Sequence, residues 1–193
     1  TVIATLSEHP PEGWNVETVE SHSSGSYLSK LQAYNKAKQR LEELIKKEDD
    51  IIVHLHAASD YSFLRKLRLA EHASKLGAKI VFQIHSGNIL AWLGKKGRAK
   101  KMKQRLKDCK ATIVSLSDRW KELLTPFLGK CVVSSNPIDP IHCIDASVER
   151  KPNQILLLGR NDEVKGHDFA FEIMREFQKN ASDVTLHCTG REQ

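Results

Sequence analysis

The sequence predicts an α/β protein: a Rossmann-like N-terminal domain with a mainly parallel sheet, followed by the start of a second Rossmann-like domain. Short runs rich in branched apolar residues, Ile51–Leu55, Lys79–Ile84 and Ala111–Leu116, alternate with amphipathic segments of helical period. Helix-capping and helix-stopping residues, such as Ser59, Gly77 and Ser117, stand between them. The same pattern restarts at Ile155, after a stretch interrupted by prolines. Parallel strands joined by crossover helices bring their carboxyl ends to one edge, and ligands gather there.

Taken in order, Val2–Leu6 is a β-branched run ending at His9-Pro10-Pro11 and predicts a strand and a turn. Val16, Thr18 and Val19 predict a second short strand. Ser23-Ser24-Gly25-Ser26 opens a helix whose apolar positions are Leu28, Leu31, Tyr34, Leu41, Leu44 and Ile45. Ile51–His56 reads as a strand buried on both faces, the pattern of a central parallel strand. A helix follows from Tyr61 to Leu76, with Phe63, Leu67, Ala70 and Ser74 on its inner face and Gly77 as its stop. Lys79–Ile84 is the next buried strand and runs into His85-Ser86-Gly87. Ala111–Leu116 is another. Ser117 caps a helix from Asp118 to Leu124 that Pro126 closes. Cys131–Val133 is a short strand. Residues 1–140 thus form the first domain, 141–153 a linker, and 154–193 part of a second domain. That second piece is one β-α-β of about 40 residues, too small to bury a core by itself.

Net charge is +6, yet Lys95–Lys110 alone carries nine cations and one Asp, so the rest of the chain is slightly acidic. One basic segment points to one anionic partner surface. Ile89–Leu93 precedes it, and an apolar shoulder beside a polybasic helix suits an anionic membrane or an anionic acceptor. Lys95, Lys96, Arg98, Lys100, Lys101 and Lys103 form that patch. Nucleic acid is not the expected partner, because no aromatic residues interleave the lysines as a stacking platform. Cys109, Cys131, Cys143 and Cys188 form no C-x-x-C pair and read as reduced thiols of a cytoplasmic protein. No run reaches the ~18 apolar residues of a membrane span.

Two constellations could carry chemistry. His54 and His56 lie on one face of one strand and His85 at the end of the next, so all three open on the same edge. A His-x-His pair can ligate zinc, but only Asp60 stands near as a further ligand, and no metal site is expected. Gly159-Arg160-x4-Lys165-Gly166 follows a strand and enters a helix. A guanidinium, an ammonium and a helix N-terminus together suit a phosphate or diphosphate.

In order along the chain these features are strand-His54-x-His56, then strand-x-His85-Ser86-Gly87, Val114-Ser115-x-Ser117, Asn136-x-Ile138-Asp139 and Leu158-Gly159-Arg160-x4-Lys165-Gly166. The series resembles the motif order of family-4 retaining glycosyltransferases of the GT-B fold. The resemblance implies two Rossmann-like domains facing across a cleft. A nucleotide-diphosphate sugar is the donor, a glycan or glycolipid the acceptor, and neither cofactor nor metal is required. It implies that Gly159, Arg160, Lys165 and Gly166 bind the donor diphosphate and that His85 is the catalytic histidine reaching the transferred sugar. His54, His56, Ser86 and Gly87 then line the acceptor cleft. A cytoplasmic enzyme, peripheral at the inner face of a membrane, is the implied setting. The chain departs from the family at three points. Pro10-Pro11-Glu12-Gly13 stands where the glycine-rich loop would begin, Pro137 stands where glycine is usual, and the sequence given ends before the place of the family's Glu-x7-Glu segment. The expectation is that this piece alone is inactive. A non-enzymatic basic module for nucleic acid or anionic membrane, and a GT-B nucleotide-sugar epimerase, are the alternatives.

Overall fold

The computed structural model describes residues 2–142, 147, 149, 151–159, 165–180 and 183–189. The chain divides into two compact units, one ending at His142 and the other beginning at Cys143.

The first unit is an α/β layer structure. β1 (Ile52–Ala57), β2 (Lys79–Ile84), β3 (Thr112–Ser115) and β4 (Cys131–Val133) form one parallel sheet in the order β1-β2-β3-β4. Register pairs His56 with Gln83, Gln83 with Val114, and Val114 with Val132. The strands advance in one direction, so right-handed crossovers place all the connecting helices on one face. α3 (Asp60–Lys75) packs on β1 and β2, and α6 (Asp118–Leu128) on β3 and β4. α5 (Arg98–Asp108) lies between those two helices, α4 (Ile89–Leu93) touches α6, and α2 (Tyr27–Lys47) flanks α3. The core is where this helical layer meets the sheet. Phe63, Leu67, Phe82 and Ile89 are fully buried, and the Phe63 ring meets Phe82 edge-on at 5.0 Å and Trp92 at 4.9 Å.

The other face of the sheet is only partly covered, which corrects the expectation of strands buried on both faces. β1 alternates: Val53, Leu55 and Ala57 are buried, while Ile52 is 40 % exposed and His54 is exposed. Val132 is 48 % exposed on the same side. Polar His54 and His56 inside the apolar run follow that alternation, as in a strand with one solvated face. Among the described residues β1 pairs on one edge only.

Local chemistry explains most of the boundaries. Ser26 caps α2 by accepting from the Ser29 N–H, and Ser117 caps α6 by accepting from the Trp120 N–H. Gly77 turns the chain after α3 at φ 98°, a conformation glycine adopts without a Cβ penalty. Pro126 does not close α6. The helix runs on to Leu128, because a proline removes one hydrogen bond while buried Leu124 and Leu128 hold the last turn in the core. The N-terminal strand expectations also fail. Val2–Glu8 is a helix, α1, with Thr5 as its buried residue, and among the described residues Val16–Val19 have no strand partner. With no neighbouring strand to pair with, β-branched composition alone does not make a strand.

The second unit holds β5 (Gln154–Leu158), α7 (His167–Lys179) and β6 (Thr185–Thr189), with β5 and β6 parallel. Met174 is buried there, but many of its apolar side chains stay in solvent: Leu156 is 58 %, Phe169 67 % and Phe171 47 % exposed. Cys109 and Cys131 are buried free thiols, Cys188 is an exposed one, and Cys143 lies outside the described residues. No helix among the described residues is long and apolar enough to cross a membrane.

Candidate functional site

The side chains of His54, His56, Gln83 and His85 meet on the sheet face opposite the helical layer, toward the carboxyl ends of β1 and β2. The strand alternation puts them there: register pairs His56 with Gln83, and His85 extends β2 through its N–H to Ala57 O at 2.8 Å. His54 and His56 rings lie 4.3 Å apart, and His56 and His85 rings 4.8 Å apart. His56 Nδ1 and His85 Nε2 share one hydrogen bond at 2.8 Å. His54 Nε2 meets Gln83 Oε1 at 2.8 Å.

Gln83 orders the row. It is 3 % exposed, and its Nε2 donates to Ser134 O at 3.4 Å. A carbonyl accepts only from the amide nitrogen, so Oε1 must face His54. An acceptor there requires the proton on His54 Nε2, which leaves Nδ1 with its lone pair. Partial desolvation of the rings lowers the pKa of all three histidines, and neighbouring charge adds to it at His56 and His85. His56 is pushed down to about 3, by burial first and then by His54, His85 and the Lys66 ammonium. At neutral pH the row is therefore uncharged. Its uncharged imidazoles can each donate one hydrogen bond and accept another.

Ser86 and Gly87 follow β2 at the same end. Ser86 Oγ accepts from the Asn88 N–H at 3.3 Å. A Cβ on Gly87 would meet nothing within 4 Å, so local sterics leave open space there. Asp60, the further metal ligand considered from the sequence, does not join the histidines. Among the described residues the convergent ligand group is Glu8, His9 and Asp139, all at or near the surface. A depression of about 690 Å³ lies at the opposite, amino-terminal edge, lined by Ile52, Lys79 and Thr112 among others, away from the histidine row.

The series Gly159-Arg160-x4-Lys165-Gly166 is placed in part. Arg160 lies outside the described residues. Lys165 folds its stem against Gly159, where a Cβ would come within 3.3 Å of Lys165 Cγ. Gly166 takes φ 71° as the N-cap of α7, a left-handed conformation suited to glycine.

The basic segment differs from its expectation. Ile89, Trp92 and Leu93 are core residues, not an apolar shoulder facing a membrane. Met102 and Leu106 anchor α5 in the same core. Arg98 is taken up by the protein itself, donating to Trp92 O at 2.9 Å and lying over the indole at 4.8 Å. Lys95, Lys96, Lys100, Lys101 and Lys103 remain exposed, a solvated lysine face without the membrane-inserting half.

Two groups of residues escaped the sequence reading. Gln83 was visible as a polar residue inside the apolar run Ile80–Ile84 and could have been flagged on that ground. Arg65 and Lys66 look like any other cations of Leu64–Leu69, and only the packing sets them apart. No protein-family model matches this chain, and no curated protein matches it.

Proposed function

We propose that the chain is part of a retaining glycosyltransferase of GT-B architecture, moving a sugar from a nucleotide-diphosphate donor to a glycan or glycolipid acceptor. The observation that carries this reading is the uncharged row His54–His56–His85 at the carboxyl ends of parallel strands, where α/β sheets hold their ligands. In this reading the first unit handles the acceptor and the transferred sugar, with His85 as the catalytic residue and Ser86 and Gly87 beside it. The second unit handles the donor. Lys165, Gly166 and the start of α7 meet the diphosphate together with Arg160, and the charge of the leaving diphosphate is stabilised there without reorganisation. Neither a metal nor a cofactor is assigned a role.

The test is binding of UDP-, GDP- and ADP-sugars followed by thermal shift. At a ligand concentration 100 times Kd a single site raises stability by about 2.7 kcal/mol. Lys165→Ala and Arg160→Ala are expected to abolish the shift, while Lys100→Glu with Lys101→Glu leaves it in place. The reverse ranking supports the second reading, a basic module for an anionic membrane or nucleic acid, which the exposed lysine face of α5 favours. Affinity would then fall steeply with salt.

A further inference from the structure

Arg65 and Lys66 are adjacent cations in the second turn of α3, and the other arginines bound within the first unit show how unusual they are. Arg105 forks onto Glu71 at 2.6 and 2.8 Å, and Arg40 bonds both Glu17 and Glu43. Arg98 rests on Trp92. Arg65 has no such partner among the described residues: its Nε is shielded from solvent and makes no hydrogen bond. Among the described residues Lys66 has no carboxylate partner either. Its Nζ donates to Ser21 Oγ at 2.7 Å, and Ser21 is 4 % exposed. Ser23, two residues further on, has a buried hydroxyl oxygen that also lacks a partner.

Two like charges, partly desolvated and near enough for one to act on the other, are an unfavourable arrangement for a protein to hold by itself. Burial lowers the pKa of both, and the Arg65 charge lowers Lys66 further, with no acidic group acting in the other direction. The Lys66 charge is also felt at His56, which links this lysine to one member of the imidazole row.

We propose that Arg65, Lys66, Ser21 and Ser23 form an oxyanion site that takes a phosphoryl group. A guanidinium edge, an ammonium and two hydroxyls supply donors of different reach. A tetrahedral phosphate has oxygens enough to meet all four, and a planar carboxylate has two. The anion neutralises the cation pair, and the unpartnered Arg65 Nε and Ser23 hydroxyl gain acceptors. Resting on the sugar-transfer reading, this phosphate belongs to the acceptor, as a sugar phosphate or a lipid phosphate. The site itself needs no donor sugar.

The experiment titrates inorganic phosphate and pyrophosphate, against sodium chloride of equal ionic strength, into the wild type, Lys66→Met, Arg65→Gln and the Lys100→Glu, Lys101→Glu double variant. The thermal midpoint and the His56 ring resonances are followed. Phosphate is expected to raise the midpoint of the wild type and of the double variant and to move the His56 resonances toward the protonated form. Lys66→Met and Arg65→Gln should each weaken phosphate at least tenfold. Unliganded Lys66→Met should melt no lower than the wild type, since it removes an uncompensated charge, whereas a purely structural lysine would lower the midpoint when lost. Arg65→Gln carries the test if Lys66→Met does not fold. A second arm compares phosphatidylglycerol with phosphatidylcholine vesicles. Lys66-dependent binding to the former assigns the phosphate to a lipid headgroup, and phosphate binding without vesicle binding assigns it to a soluble acceptor. A wild type that answers phosphate and chloride alike overturns the proposal, and so do variants that bind phosphate as the wild type does. Phosphate binding in a protein that ignores every nucleotide-sugar would leave this site standing and remove the transferase reading.

Discussion

The chain contains two parallel β-α-β arrangements of similar composition and opposite outcome. In β1-α3-β2 the helix buries Phe63, Leu67, Leu69 and Ala70 almost completely. In β5-α7-β6 the helix leaves Phe169, Phe171, Ile173 and Phe177 between 39 and 67 % exposed. The local patterns are equally good, since α7 is as amphipathic by sequence as α3. The difference is the number of neighbours. α3 is enclosed by the sheet and by α2 and α5, whereas the second unit's described residues supply one helix and two strands. Secondary structure follows from a segment's own sequence, but burial follows from the layers around it.

The largest expected effect tests that difference directly. Phe63→Ala should cost about 3–5 kcal/mol in urea unfolding, because its ring is fully buried against Phe82 and Trp92. Phe169→Ala, at 67 % exposure, should stay within about 0.5 kcal/mol. Equal losses would break the comparison. Hydrogen exchange sharpens it: amides of β2 should open only with global unfolding, and amides of β5 should exchange through smaller local openings.

The next effect concerns the histidine row. A histidine whose folded pKa is depressed binds its proton in the unfolded state first. Stability is therefore unaffected well above pH 6.5, the ordinary value, and falls as pH drops below it toward about 3, the value for His56. The upper limit is about 1.4 kcal/mol per pH unit for one group, reduced by partial exposure. Replacing His56→Gln should flatten the stability profile between pH 6 and 4. An unchanged slope would mean that the row is solvated. The smallest loss expected within the first unit is that of Ser117→Ala, which removes the cap on the Trp120 N–H and should cost about 1 kcal/mol in thermal unfolding.

How much of this was legible in the sequence depends on the kind of signal. The strands from Ile52 to Val133 and the helix α3 followed from apolar runs and capping residues, as did the start of α6, and their parallel order followed from the alternation. Val2–Leu6 misled because branched residues favour a strand only where a neighbour offers hydrogen bonds. Trp92 and Leu93 misled because an apolar stretch beside lysines reads the same whether it faces a membrane or a core. The gathering of His54, His56 and His85 was expected from their places at strand ends. The Gln83 amide that fixes His54, and the Ser21 hydroxyl that meets Lys66, depend on contacts across 29 and 45 residues of sequence that no local pattern encodes.

The most direct measurement of the central claim is a nucleotide-sugar titration of the protein watched at the His85 imidazole by nitrogen-15 resonance. The account predicts that one of the UDP-, GDP- or ADP-sugars moves the His85 signal and that Lys165→Ala removes the response. If all three donors leave His85 unmoved at millimolar concentration, the row is not the sugar side of a transferase and the proposed function is wrong.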